Sequence, residues 1–413
     1  SFLPEAQMEL LYLGVTFAVI VTLVWMKRPL FLAMAAAGAA AAALWGVPPA
    51  AWGGILARGL AGKSTVATVL AFYAITLLQR MLEARGRLVK AERAISVLTG
   101  SRSLNVMVTP FVVGLMPSVG AVLIAAPIVD RIAGDDLDAA DKTFVSSYFR
   151  HIPEAFMPTY ASILLALQLS GTRPPTFVLA MLPLVALLFA LGYMFQARKL
   201  GKARNPSPRA DGAAQARRAA WGELLRSTWT ITVSVAVILA LDVPVYAAVF
   251  GVVIVNMLLD RFTLGEMPLL LKRALEWKLI LNTIAVMVFK EMLLHTGALS
   301  RLPSHFSALP IPPEAAFAAV MVLGTLVAGT QATVAVLIPM AFAAPGAGLP
   351  LLVLLMGMSY IASQVSPAHV CLSVAAEHFK IPLSALIRRT LPVAAAFTMA
   401  VAVYYGVLKS VGR

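Results

Sequence analysis

The chain reads as a succession of long apolar runs separated by short polar connections. A bilayer requires about 20 apolar residues per helical crossing. Ten stretches meet or approach that length: Met8–Met26, Leu30–Val47, Ser64–Leu82, Lys142–Leu169, Phe177–Gln196, Thr228–Leu241, Val245–Leu259, Lys278–His295, Leu351–Ala376 and Arg389–Val407. The runs are continuous, so the alternation of an outer-membrane barrel is missing. Two further apolar segments, 104–132 and 314–344, are interrupted at their centres. The interruptions are Met116-Pro117-Ser118-Val119-Gly120 and Ala328-Gly329-Thr330-Gln331-Ala332-Thr333. Backbone freed at mid-membrane must face protein or a water-filled cavity. Both segments are therefore expected to be re-entrant helical hairpins, with a kinked crossing helix as the alternative.

Composition and charge sharpen this picture. At 60% hydrophobic, 13% charged and a mean hydropathy of +0.86, the 413 residues do not describe an ordinary soluble domain. The 33 Lys and Arg against 19 Asp and Glu give +14, which in a membrane chain reads as topogenic charge and requires no nucleic-acid partner. With ten crossings and two hairpins that return to their own side, 25 of the 33 basic residues share one face, from Lys27 and Arg28 through Arg85–Arg102 and Arg198–Arg226 to Arg388 and Arg389. Six (Arg58, Lys63, Arg173, Arg301, Lys409, Arg413) fall on the other face, and Arg150 and Lys290 lie within spans. The rich face is then cytoplasmic and both termini are extracytoplasmic. Residues 198–226 form a basic cytoplasmic linker on this reading.

The two sides of that linker match one another. Arg58-Gly-Leu-Ala-Gly-Lys63 parallels Arg273-Ala-Leu-Glu-Trp-Lys278, and Ala121-Val122-Leu123-Ile124 recurs as Ala335-Val336-Leu337-Ile338. Met81-Leu82 parallels Met292-Leu293, Pro153 maps onto Pro367, and Leu182-Pro183 maps onto Leu391-Pro392. Five matches in one order at nearly constant spacing predict two repeats, 1–197 and 227–413. Each holds five crossings and one hairpin, and the odd number inverts the second relative to the first. The expected fold is all-α, a polytopic membrane protein of two inverted-topology repeats, the architecture of secondary transporters with sites near the midplane. The first hairpin would enter from the cytoplasm and the second from outside.

Charges inside spans are costly enough to mark function. Only Glu154 and Glu291 of the acids sit well inside a span. The fourth span contains Arg150-His151-Ile152-Pro153-Glu154, and Pro153 should unwind it. Its counterpart in the ninth span is Ser363-Gln364-Val365-Ser366-Pro367-Ala368-His369. Arg150 is either a fork for a substrate carboxylate or half of an internal pair with Glu154. His151 and His369 either carry a coupled proton or stand as neutral wall residues. Ser118, Thr330, Gln331 and Thr333 at the hairpin tips, with Gln364 and Ser366, are substrate or sodium ligands, or they satisfy turn backbone. Lys290-Glu291 reads as a structural pair or as snorkelling ends, and Asp130–Asp141 as a solvated acidic turn. Arg85–Leu98 and 299–309 could lie flat at the two interfaces. The single cysteine, Cys371, leaves no disulfide and no expected cysteine-based metal site. No phosphate-binding glycine loop is present, which argues against an ATP-driven pump.

Arg150-His151-Ile152-Pro153-Glu154 with Pro158, Ser366-Pro367-Ala368-His369-Val370-Cys371-Leu372 and Glu377-His378-Phe379 resemble the domain-of-unknown-function 401 family of prokaryotic integral membrane proteins, within the ion transporter superfamily. That superfamily includes divalent-anion/sodium symporters. The resemblance implies a homodimer in the cytoplasmic membrane, working by an elevator motion, with the hairpins and spans four, five, nine and ten as the moving part. The dicarboxylate branch carries Ser-Asn-Thr at both hairpin tips, whereas this chain has Pro117-Ser118-Val119 and Gln331-Ala332-Thr333.

The expected function is secondary active transport of a small organic anion, coupled to sodium or protons, and not an enzyme activity. Substrate contacts fall to Ser118, Arg150, His151, Thr330, Gln331, Thr333, Gln364 and Ser366, and ion or proton coupling to His151, Glu154 and His369. No cofactor is expected; sodium near Ser118, Thr333 and Ser366 is the candidate ion. A passive channel or facilitator and an intramembrane enzyme or lipid-handling protein are the rival readings.

Overall fold

The computed structural model describes residues 5–99, 101–115, 121–200, 213–298, 311–344, 346–367 and 369–411. No β-strand occurs among them. The chain runs α1 (Glu5–Trp25), α2 (Leu30–Leu44), α3 (Pro49–Ala61), α4 (Lys63–Ala84), α5 (Arg87–Leu98), α6 (Arg102–Gly114), α7 (Ala121–Ala133), α8 (Ala139–His151), α9 (Ala161–Ser170) and α10 (Pro174–Phe195). It continues as α11 (Ala213–Leu241), α12 (Val245–Leu259), α13 (Met267–Ala274), α14 (Trp277–Thr296), α15 (Pro313–Ala328), α16 (Thr330–Phe342), α17 (Leu349–Ser363), α18 (Val370–His378) and α19 (Leu383–Val411). Proline opens many of these helices, as at Pro49, Pro174 and Pro313, where a missing N–H costs nothing.

Five helical stretches among the described residues are long and apolar enough to cross a membrane: 49–84, Pro174–Phe195, 214–241, Trp277–Thr296 and Leu383–Val411. Large apolar side chains lie on the outside, among them Leu179, Leu258, Leu259, Met399 and Val403. A water-facing surface would not carry them in such number, and a lipid-facing one requires them. By contrast α8 is buried without a break from Thr143 to His151, and α17 from Leu351 to Ser363. Helices buried all round lie at the centre of the bundle.

Several expectations are corrected. α2 stops at Leu44, short of its expected run, whereas α12 keeps the expected bounds; each has 15 residues, a rise of about 22 Å against a hydrocarbon core of about 30 Å. Helices α3 and α13 were not expected, being short and next to prolines. Residues 213–226, expected within the basic linker, are helical and form the first part of α11. The acidic turn is not simply solvated: Asp141 is buried between Lys199 (2.7 Å) and Arg389 (3.1 Å). Lys290 and Glu291 do not pair with each other; Glu291 reaches Arg58 at 3.3 Å. Residues 299–309 lie outside the described residues.

Element lengths recur along the chain. α4 and α14 have 22 and 20 residues, α6 and α7 are followed by the split pair α8 and α9, and α15 and α16 by the split pair α17 and α18. Left-handed backbone recurs as well. Lys27, Gly46, Gly86, Gly134 and Gly171 are matched by Asp242, Arg261, Gly297, Gly346 and Lys380, at spacings between 209 and 215 residues. Packing is reciprocal: α2 lies on α14 and α12 on α4, while α7 lies on α18 and α16 on α9.

Candidate functional site

α8 stops because Pro153 has no N–H to give to the carbonyl one turn back. The chain passes through a 3-10 turn, Ile152–Ala155, and becomes helical again at Ala161. At this break Arg150 Nη1 donates to Glu154 Oε1 at 2.9 Å, so the expected internal pair is present. Arg150 is fully buried while Glu154 is part-exposed. His151 Nδ1 lies 2.5 Å from the Ser147 carbonyl oxygen. A carbonyl only accepts, so the proton is on Nδ1 and Nε2 carries the lone pair. That Nε2 is buried without a hydrogen-bond partner, 3.8 Å from Glu154 Oε1.

The second break follows Ser363. Ser363 Oγ donates to the Tyr360 carbonyl (2.6 Å), Gln364 Nε2 to Ser363 Oγ (3.1 Å) and Ser366 Oγ to the Leu326 carbonyl on α15 (3.0 Å). His369, the N-cap residue of α18, donates from Nδ1 to the Ser363 carbonyl at 3.0 Å. The two breaks meet at their histidines: the rings of His151 and His369 are 4.8 Å apart and nearly perpendicular.

Both interrupted segments turn back on themselves. Arg102 at the start of α6 donates to the carbonyls of Ile132 and Ala133 at the end of α7 (2.6–2.8 Å). The tip, residues 116–120, lies outside the described residues, and Ser118 with it. The end of α6 is nonetheless seated on the first break. The Tyr160 hydroxyl donates to the Gly114 carbonyl, and a Cβ at Gly114 would stand 1.9 Å from the Arg150 carbonyl oxygen. In the second segment α15 and α16 pack together around Gly329, at φ +83°. Thr333 is buried, donates to the Gly329 carbonyl (3.0 Å) and fills the space left by Gly324.

A cavity of about 490 Å³ opens against this assembly. Glu154, Thr330, Gln331, Ser366 and His369 line it. Arg150, His151, Thr333 and Gln364 do not line it and stand behind the wall. The sequence reading missed Arg28, Asn282, Tyr160, Ser162 and Cys371, which also line it. Arg28 and Asn282 reach it from the opposite wall, α1–α2 and α14, and Asn282 Oδ1 accepts from the Phe31 N–H at 2.9 Å. Asn282, a lone amide in an apolar span, was the one signal available. A second cavity, about 700 Å³, lies at the other end of α9 between Lys63, Arg173 and the turn Asp242–Tyr246. The first cavity touches the start of α9 and the second its end.

Comparison with known proteins agrees with this architecture. The family described as "protein of unknown function (DUF401)" matches residues 12–408. The chain belongs to that family. Among curated proteins none matches it. Among solved structures it is similar to the crystal structure of the Alcanivorax borkumensis YdaH transporter, described as having an unusual topology. The TM-score is 0.61 at 12% identity, over 86% of this chain and 88% of that one. At that identity the likeness is one of fold. This DUF401 member is thus a multi-pass helical membrane protein with the fold of a transporter.

Proposed function

We propose that the chain is a secondary active transporter that carries a small organic anion across the cytoplasmic membrane, driven by sodium or protons. The observation that carries this reading is the 490 Å³ cavity. One wall holds both helix breaks and the tip of the second hairpin, and the other holds Arg28 and Asn282. Thr330, Gln331 and Arg28 supply hydroxyl, amide and guanidinium donors for an anion. Glu154 is the one acid lining the cavity among the described residues, and it is the group that would meet the coupling cation.

The recurring element lengths, left-handed positions and reciprocal packing support two repeats, and the odd number of crossings in each would invert them. On this reading α1–α4 and α11–α14 form a scaffold that dimerises, and α6–α10 with α15–α19 slide against it as an elevator. The cavity by Arg28 faces the cytoplasm, the cavity by Arg173 is its counterpart outside, and both termini are extracytoplasmic. The hairpins then re-enter from opposite faces.

Uptake of labelled organic anions into proteoliposomes, with an imposed sodium or proton gradient, tests the reading. Accumulation above equilibrium that requires one gradient supports symport, and Glu154→Gln should leave anion binding but abolish accumulation. Flux that never exceeds equilibrium would make the protein a facilitator. No anion flux and no anion-induced thermal stabilisation, which bound ligand must produce by mass action, would move lipid-like substrates or intramembrane chemistry to the front.

A further inference from the structure

Where the two breaks cross, three side chains converge that transport of an anion does not itself require. The ligand atoms of His151, His369 and Cys371 all lie within 4.8 Å of one another. We propose that these three residues bind a zinc-type divalent transition-metal ion, with one coordination position left open toward the cavity.

The donor set is the first argument. Two imidazoles and a thiolate suit zinc or cobalt and suit sodium, magnesium or calcium poorly. Tautomers are the second. The carbonyls of Ser147 and Ser363 each accept from an Nδ1–H, of His151 and His369 respectively. The Nε2 lone pair of His151 is left for a ligand, the His369 side chain already hydrogen-bonds that of Cys371, and the backbone carbonyls act as the outer partners that orient metal-bound imidazoles. The third is the lone pair on His151 Nε2, fully buried, without a hydrogen bond and facing the His369 ring. Buried polar atoms rarely go unmatched, and a cation at the crossing would match this one.

Geometry and charge permit the ion. Tetrahedral bonds of about 2.0–2.3 Å put neighbouring ligands roughly 3.3–3.8 Å apart, so small side-chain rotations close the present spacing. Cys371 sits in the first turn of α18, two residues after His369. On coordination its proton passes to cavity water. The nearby Arg150 charge is already opposed by Glu154. Cys371 and His369 line the cavity, which gives the ion its path in, and Glu154 or a water can take the fourth position.

The test is a cobalt titration of the purified full-length protein after chelator treatment, with no anion or gradient present. Cys371 is the only cysteine, so a thiolate-to-cobalt charge-transfer band has one source. One cobalt per chain should bind with that band and be displaced by zinc. Cys371→Ser should remove the band, and His369→Gln should weaken binding by about tenfold or more. In the wild type, zinc should slow maleimide labelling of Cys371 by a similar factor, a readout that needs no variant. Absence of the band, or labelling unchanged by saturating zinc, overturns the site. Either result leaves the transport reading intact, because that reading is tested by anion flux alone.

Discussion

Gly114→Ala tests whether the first hairpin is seated on the break that carries Arg150. The added Cβ would stand 1.9 Å from the Arg150 carbonyl oxygen, where ordinary contact begins near 3.4 Å, so α6 must retreat by about 1.5 Å. The obstacle is backbone, and no rotamer relieves it. Overpacking of this kind costs about 1–3 kcal/mol. The retreat also stretches the hydrogen bond from Tyr160 to the Gly114 carbonyl, a further loss of about 1 kcal/mol. At roughly 2 °C per kcal/mol for a large chain, the melting midpoint should fall by about 4–8 °C. The assay is a thermal melt in detergent at one fixed scan rate, since unfolding of such proteins is commonly irreversible. Gly222→Ala is the control: it is helical, exposed and has nothing within 4 Å of the new Cβ, so it should be neutral or slightly stabilising. A Gly114→Ala melt within about 1 °C of the wild type would refute the close approach, and with it the placement of α6 against the break.

Other perturbations address other parts of the molecule. Gly324→Ala puts a Cβ 2.7 Å from Thr333 Cγ2; it should prise α15 from α16 and lower the melt by an amount typical of overpacking, about 1–3 kcal/mol. Arg28→Ala, on the exposed wall of the cavity, should raise the KM for anion about fivefold, the equivalent of roughly 1 kcal/mol, while leaving the melt unchanged; an unaltered KM would remove Arg28 from the binding site. Glu266 lies in the loop before α13, and a hydrogen bond from Arg85, aided by the Thr263 N–H, holds its carboxyl down at about 2 against an ordinary 4.5. Its folded value is depressed, so its contribution is complete above about pH 5 and is lost as pH falls toward 2. Thermal melts of Glu266→Gln should therefore lose pH dependence in that window and match the wild type in its acid limit; parallel curves would sink the assignment.

The breaks were legible because each puts proline and polar side chains where an apolar run has no use for them. Pro153 and Pro367 mark the two places where helix stops, and the fold follows both. Arg150–Glu154 was legible as a pair from i, i+4 spacing, but not that Arg150 would be sealed behind the wall while Glu154 faces the cavity. That depends on Gly114 pressing against the Arg150 backbone, a contact between distant segments. Arg28 and Asn282 were missed for the same reason, since local pattern says nothing about which wall faces the breaks. Counting cysteines gives no hint of the cluster on which the proposed metal site rests, because folding brings His151 beside His369 and Cys371 from far along the chain. α3 and α13 escaped notice because short helices beside prolines look like connections.

The ion pairs bear on the proposed elevator motion. Arg80 on α4 meets Glu276 before α14 at 2.7 Å, and Glu291 on α14 meets Arg58 on α3 at 3.3 Å. Arg80 and Glu291 occupy matching places in α4 and α14, with base exchanged for acid. Were the charges identical, one end of the α4–α14 region would bring like charges together; the exchange gives each end an attractive pair. Arg87–Asp260, nearly buried on both sides, and Arg85–Glu266 tie α5 and its approach to the turn after α12. Across the proposed sliding boundary each ion pair among the described residues has an exposed guanidinium: Arg131 on α7 reaches the buried Glu92 on α5 at 2.8 Å. Arg173–Asp242, at the rim of the larger cavity, is largely exposed on both partners (3.2 Å), and such a pair is worth about 0–1 kcal/mol. A boundary held by apolar contact and two ion pairs with exposed guanidinium groups gives up less polar energy when it shifts than one crossed by pairs buried on both sides. The buried Arg87–Asp260 pair on the scaffold side resists the same displacement, because separating it strands charge out of water. This asymmetry favours motion of the hairpin-bearing half as a body over deformation of the scaffold.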